Sequence, residues 1–159
     1  MNPSENLKSP QIILNRTDSN SPDFRHLIKL LDENLVEING DIQADYDEHN
    51  IIDHIETVII AYADNAAAGC GCFKTFDEHS VEIKRMYVDK SFRQKGIAFK
   101  VLNELEQWAK ELGYTHTVLE TGKRHHEALA LYHKMGYVIT DNYEPYIGME
   151  ESVCMRKVL

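Results

Sequence analysis

The chain has 159 residues, 43% of them hydrophobic and 27% charged, a balance that supports one globular core and excludes a disordered or fibrous protein. There is no run of about 18 apolar residues, the first ten residues are polar where an export signal needs an apolar stretch, and three cysteines without a CxxC pair make no disulfide framework, so a cytoplasmic protein without membrane partners is expected. A formal charge of −9 excludes general nucleic-acid binding, which draws its affinity from cationic contacts to phosphate.

Residues 1–9 read as a flexible tail and residues 10–159 as a single domain. A first strand is expected over Pro10 to Arg16, followed by a polar turn. A helix then starts near Pro22 or Asp23, because Phe24, Leu27, Ile28, Leu31, Leu35 and Ile38 recur at three and four, and Asn39-Gly40 stops it. The acidic segment up to Asp53 predicts a short helix or an ordered loop. Branched and aromatic residues from Glu56 to Ala63 predict a strand, Asp64-Asn65 a turn, and Ala67 to Phe76 its antiparallel partner. A third strand of this group spans Val81 to Val88. From Ile97 the period becomes helical, with Val101, Leu102, Leu105, Trp108, Ala109 and Leu112 on one side and Gly113 as the stop. Thr115 to Thr121 returns to strand, Glu127 to Met135 to helix, and Tyr137 to Thr140 and Val153 to Val158 to two last strands. The order β-α-(α)-β-β-β-α-β-α-β-β predicts an α/β domain (α+β by strand sequence) with a mixed sheet, antiparallel early and parallel across the helix at 97–112.

Charge is segregated along this order. From Lys84 to Lys100, six cations (Lys84, Arg85, Lys90, Arg93, Lys95, Lys100) accompany Asp89 alone. From Glu37 to Glu56, seven acids (Glu37, Asp41, Asp45, Asp47, Glu48, Asp53, Glu56) stand without Lys or Arg. The two stretches suit ligands of opposite sign. In the first, a strand ends at Val88 and a long helix starts inside the loop Arg93-Gln94-Lys95-Gly96-Ile97-Ala98. Unpaired N–H groups at the positive end of a helix suit a phosphate, Gly96 lets the backbone approach closely, Ala98 leaves room beside it, and Arg93 and Lys95 add positive charge. By spacing alone the same loop is equally a basic strand-to-helix turn without a ligand.

Arg93-x-x-Gly96-x-Ala98 resembles the Q/R-x-x-G-x-G/A signature of the GNAT superfamily of acyl-CoA-dependent N-acetyltransferases. So do the strand Lys84 to Val88 before it, the helix ending in Trp108-Ala109 and Gly113-Tyr114, the run Leu119-Glu120-Thr121-Gly122, and Ala128-x-x-Leu131-Tyr132-x-x-x-Gly136-Tyr137, all in the family's order. The resemblance covers about residues 10–159 and implies a GNAT-like fold with acetyl-CoA as cosubstrate and no metal. It assigns the CoA pyrophosphate to the loop amides of Arg93, Gln94, Lys95, Gly96, Ile97 and Ala98, and the pantetheine arm to Met86, Tyr87 and Val88. It also assigns Tyr132 to the thioester sulfur, where a phenol could protonate the departing thiolate. By spacing alone, Leu129, Tyr132 and Met135 form one packed helix face. At His125 many relatives carry Asn or Gln against the cofactor, and a neutral imidazole can also donate or accept there.

An acceptor amine must lose a proton before it attacks. Glu82, which shares a strand face with Lys84 and Met86, is the expected base, with Glu120 in reserve; the other reading of Glu82 is a polar residue on a wet strand face. Cys70 and Cys72 point the same way from their strand without further ligands and read as packed thiols rather than a zinc site. Cys154 carries no readable arrangement, and His125, His126 and His133 lack the i,i+4 pairing of a helix-borne metal site. Tyr143 and Tyr146 either wall an acceptor pocket or cover the core. The expected activity is acetyl transfer to a primary amine by direct attack in a ternary complex, in a monomer or homodimer. In the family the acidic stretch borders the acceptor side, which implies a small cationic acceptor. The alternatives are a non-catalytic acyl-CoA sensor of the same fold and a nucleotide-phosphate-binding regulator.

Overall fold

The computed structural model describes residues 9–40 and 54–159. In chain order these form β1 (Ile12–Thr17), α1 (Pro22–Asn39), β2 (Val58–Ala63), β3 (Ala66–Thr75), β4 (Ser80–Val88), a 3₁₀ turn (Lys90–Phe92), α2 (Ile97–Glu111), β5 (His116–Gly122), α3 (His126–Lys134), β6 (Val138–Thr140) and β7 (Ser152–Val158). The elements expected on these residues are all present. Residues 1–8 of the expected 1–9 tail and residues 41–53, where a helix or loop is expected, lie outside the described residues. So do Asp45, Asp47 and Glu48 of the acidic stretch.

The seven strands form one sheet in the order β1-β2-β3-β4-β5-β7-β6. Asp64 and Asn65 both take positive φ, the conformation that a two-residue hairpin between right-twisted strands requires, and β2 and β3 pair antiparallel on either side of them. Among the described residues the one parallel pairing is β4 with β5, and α2 is the crossover that a parallel pair needs.

Each face of the sheet has its own apolar cover. Against one face Ile97, Val101, Leu102, Leu105 and Ala109 of α2 pack with Ile59, Ala61, Phe73, Ile83 and Leu119. Against the other, Phe24, Leu27 and Leu31 of α1 pack with Val58, Ile60, Cys70, Cys72 and Tyr87. Ser21 Oγ accepts the Phe24 N–H at 3.3 Å and Pro22 occupies the first helical position, so α1 starts where the sequence predicts. The central strands are therefore covered on both sides, and Glu82 is buried rather than on a wet face. No helix among the described residues is long and apolar enough to cross a membrane.

Candidate active site

β4 and β5 start together and then separate. Their ladder joins Ser80 to His116 and continues only to Ile83 with Leu119. Immediately beyond it, Arg85 adopts φ 55, and the pairing of β4 with β3 steps from Lys84–Cys72 to Tyr87–Cys70. This is a β-bulge, which bends a strand and increases its local twist. The glycine that faces it is closely packed: a Cβ on Gly71 would stand 2.5 Å from Met86 Sδ and 2.9 Å from Leu105 Cδ1, so both side chains would have to shift. A cavity of about 760 Å³ opens where the strands part. Met86, Tyr87, Val88, Arg93, Gln94, Gly96, Ile97, Ala98, His125 and Tyr132 line it. Of the residues expected to meet the cofactor, Lys95 alone is outside this lining.

The basic loop is held by its own backbone geometry. Asp89 accepts the Ser91 N–H at 2.9 Å, and Arg93 Nε donates to the Val88 carbonyl at 3.0 Å. Gln94 and Gly96 have φ of 63° and 75°, which turns the chain sharply into α2. No side chain caps that helix start, so its first N–H groups face the positive end of the helix without a side-chain acceptor. A Cβ on Gly96 would meet no atom within 4 Å; the loop backbone borders open space.

Tyr132 and Glu120 also line the cavity. Tyr132 is 6% exposed, and its ring sits edge-on to Tyr137 at 5.7 Å. Burial, and then the charge of Glu120, push its phenol well above the ordinary value, so the hydroxyl keeps its proton at neutral pH. Burial likewise raises the Glu120 carboxyl, to about 7, against the opposing pull of a Ser152 hydrogen bond and of Lys84. Glu82 is 5% exposed and accepts a hydrogen bond from Tyr143 Oη at 2.9 Å. Lys74 Nζ lies 3.7 Å and Lys84 Nζ 4.0 Å from its carboxylate. Glu82 does not line the large cavity; it lines a second space of about 50 Å³ with Lys84, Arg85, Glu120 and Tyr146. The two carboxylates thus share one small chamber, and Glu120 alone of the pair also faces the large one.

The model of the Acetyltransferase (GNAT) family matches residues 24–137. The chain belongs to the GNAT acetyltransferase family. It is 34% identical over 101 residues to the uncharacterized N-acetyltransferase YsnE of Bacillus subtilis, an alignment covering 62% of this chain and 67% of that protein. A candidate acyl-CoA N-acyltransferase of Klebsiella pneumoniae superposes with a TM-score of 0.78 at 26% identity, over 94% of this chain and 98% of the other. A GNAT family acetyltransferase of Elizabethkingia anophelis, solved with acetyl-CoA bound, has the same fold, with a TM-score of 0.65 and 21% identity over 93% of this chain and 98% of that one. Transferase chemistry of this class is therefore the activity of the chain.

Within this GNAT domain the remaining candidates fall into place. His125 precedes α3, half-buried. Burial lowers its pKa, Glu127 opposes that shift, and Arg93 and His126 add to it; the ring is neutral at pH 7. Cys70 and Cys72 are buried thiols that donate to the carbonyls of Arg85 and Lys84 at 3.4 Å, and burial raises both. Among the described residues no group of three or more His, Cys, Asp or Glu could hold a metal ion. Tyr143 and Tyr146 pack edge-on at 5.8 Å, with Tyr146 on the wall of the small chamber. Sequence reasoning missed the part that α1 plays: Leu31, Asn34, Leu35 and Ile38 line the large cavity, yet their spacing signals only a packed helix face.

Proposed function

We propose that this acetyltransferase takes acetyl-CoA as cosubstrate and transfers the acetyl group to a primary amine by direct attack in a ternary complex. The observation that carries the reading is the continuity of one cavity from the uncapped start of α2 to Tyr132 and Glu120. Its volume lies within the range of small-molecule sites. In this reading the pyrophosphate rests on the N–H groups of the 93–98 loop, beside Arg93. The pantetheine arm runs along Met86, Tyr87 and Val88, where β4 has left β5 and that edge of the strand no longer has a strand partner. The acetyl-CoA found in the Elizabethkingia relative supports this choice of cosubstrate.

The chemistry then belongs to two side chains. The amine arrives as an ammonium, and Glu120, ionised above about pH 7, accepts its proton. The nitrogen attacks the thioester carbonyl, the carbon–sulfur bond breaks, Tyr132 gives its proton to the departing thiolate, and the second proton that the nitrogen sheds on becoming an amide restores the Tyr132 hydroxyl. Glu120 takes the role expected of Glu82 because Glu120 faces the cavity and Glu82 stands behind it, held by Tyr143. The expected cationic acceptor rested largely on acids outside the described residues. A panel of amines incubated with acetyl-CoA, with products identified by mass, tests the reading. One acetylated amine per CoA released is expected, and a protein that binds acetyl-CoA yet acetylates no amine overturns it.

A further inference from the structure

Tyr132 is the only buried residue of α3, and among the described residues no side chain hydrogen-bonds its hydroxyl. A proton donor held by packing alone needs packing that admits a single orientation. Tyr137 supplies it. Gly136 takes φ 94, which turns the chain back over the end of α3. The Tyr137 N–H then donates to the Tyr132 carbonyl at 3.0 Å, and the Gly136 N–H to the His133 carbonyl at 3.1 Å. This is a Schellman ending, in which the residue after the glycine packs against the helical residue five places before it. Here both residues are tyrosines, packed edge-on with ring centroids 5.7 Å apart.

Such a contact asks only for an apolar ring, yet Tyr137 is 1% exposed and its buried hydroxyl is bonded twice. It donates to Glu106 Oε2 at 2.8 Å and accepts from Thr117 Oγ1 at 2.8 Å. Glu106 Oε1 in turn accepts from Lys157 Nζ at 2.7 Å. Glu106 interrupts the buried apolar face of α2 between Leu105 and Ala109, and Thr117 and Lys157 stand opposite each other in the β5–β7 ladder. Three elements therefore converge on one phenol oxygen. Burying a carboxylate is costly unless its oxygens are bonded, and a fully bonded network contributes fixed geometry more than net stability. Neither Tyr137 nor Thr117, Glu106 or Lys157 lines the large cavity, so the network reaches the reaction through Tyr132.

We propose that Tyr137 is a positioning residue for acetyl transfer: its hydroxyl, fixed by Glu106 and Thr117, holds the ring that aims Tyr132 at the thioester sulfur. This rests on the reading of Tyr132 as proton donor and adds what orients it. Glu106 and Thr117 act through Tyr137, and Lys157 acts through Glu106.

Tyr137→Phe tests this by removing the hydroxyl and keeping the ring. In the protein without acetyl-CoA, NMR of ring-labelled tyrosine, with the Tyr132 signals assigned by their loss in Tyr132→Phe, should show the Tyr132 ring flipping about 10-fold faster or more in the variant. With saturating acetyl-CoA and the best acceptor of the amine panel, kcat should fall about 10-fold while KM for acetyl-CoA stays unchanged. In a Tyr132→Phe background the same substitution should cost no further kcat, because no proton remains to be aimed. Wild-type kcat in a folded Tyr137→Phe variant overturns the inference, whatever its melting temperature, and so does unchanged ring motion. An equally large loss of kcat in the Tyr132→Phe background also overturns it. If Tyr137→Phe does not fold, Thr117→Val, which removes one of the two bonds, is read by the same criteria. Wild-type kcat in Tyr132→Phe alone is a separate failure: it overturns Tyr132 as the donor.

Discussion

At the scale of single residues, burial sets the proposed acid and the proposed base apart. The same desolvation that keeps Tyr132 protonated lifts Glu120 to about 7, so near neutral pH one group can give a proton and the other can take one. Tyr132→Phe keeps the ring and removes the donor. It should lower kcat about 10²–10⁴-fold and leave acetyl-CoA affinity unchanged, as steady-state kinetics and a binding titration would show together. Glu120 has a raised pKa, so its carboxylate, the form that accepts a proton, is lost as pH falls through about 7. The pH profile of kcat/KM for the amine should break near that value in the wild type. Glu120→Gln should remove the break and lower the plateau. A break that persists in the variant would take the role away from Glu120. Choosing between these carboxylates is beyond sequence reading. Glu82 and Glu120 both lie on the α1 face, and only the distance to which their strands diverge decides which one meets the cavity.

At the scale of elements, the junction of β4, the basic loop and α2 is the most legible part of the chain. Arg93, Gly96 and Ala98 ahead of an apolar helical period mark a strand, a turn and a helix start in that order, and the structure has all three. The bulge is less legible. A left-handed Arg85 leaves no mark in composition or period, and its one trace is Gly71 on the neighbouring strand, which reads simply as a glycine until Met86 and Leu105 are seen against it. The cavity-lining side of α1 is hidden for a related reason: residues that line a cavity and residues that fill a core have the same apolar spacing. The loop itself is open to test by substitution. At φ 75 any side chain on Gly96 is strained by about 1 kcal/mol, so Gly96→Ala controls for backbone cost. Gly96→Glu adds bulk and negative charge where phosphate is proposed to sit. Acetyl-CoA should raise the melting temperature of the wild type and of Gly96→Ala, and should fail to raise that of Gly96→Glu. An undiminished shift in a folded Gly96→Glu variant would remove the phosphate from this loop.

At the scale of the whole molecule, the sheet is two blocks meeting at one short seam. Antiparallel ladders tie β1, β2, β3 and β4 together, and β5, β7 and β6 form a second antiparallel set. Between the blocks run only the four residue pairs from Ser80–His116 to Ile83–Leu119. Local opening follows the weakest joint, and a parallel ladder of that length is a weaker joint than the antiparallel sets on either side. A ligand lodged where β4 and β5 part would touch both blocks and act as a clasp, making each harder to open without the other. Amide hydrogen exchange should register this. Acetyl-CoA is expected to slow exchange over residues 116–119 more than at the centre of the β2–β3 hairpin, whose protection already comes from its own ladder. The cosubstrate would then be a structural member of the sheet for as long as it is bound, and its departure after each turnover would leave the seam to its short parallel ladder and to the core that α2 packs beneath it.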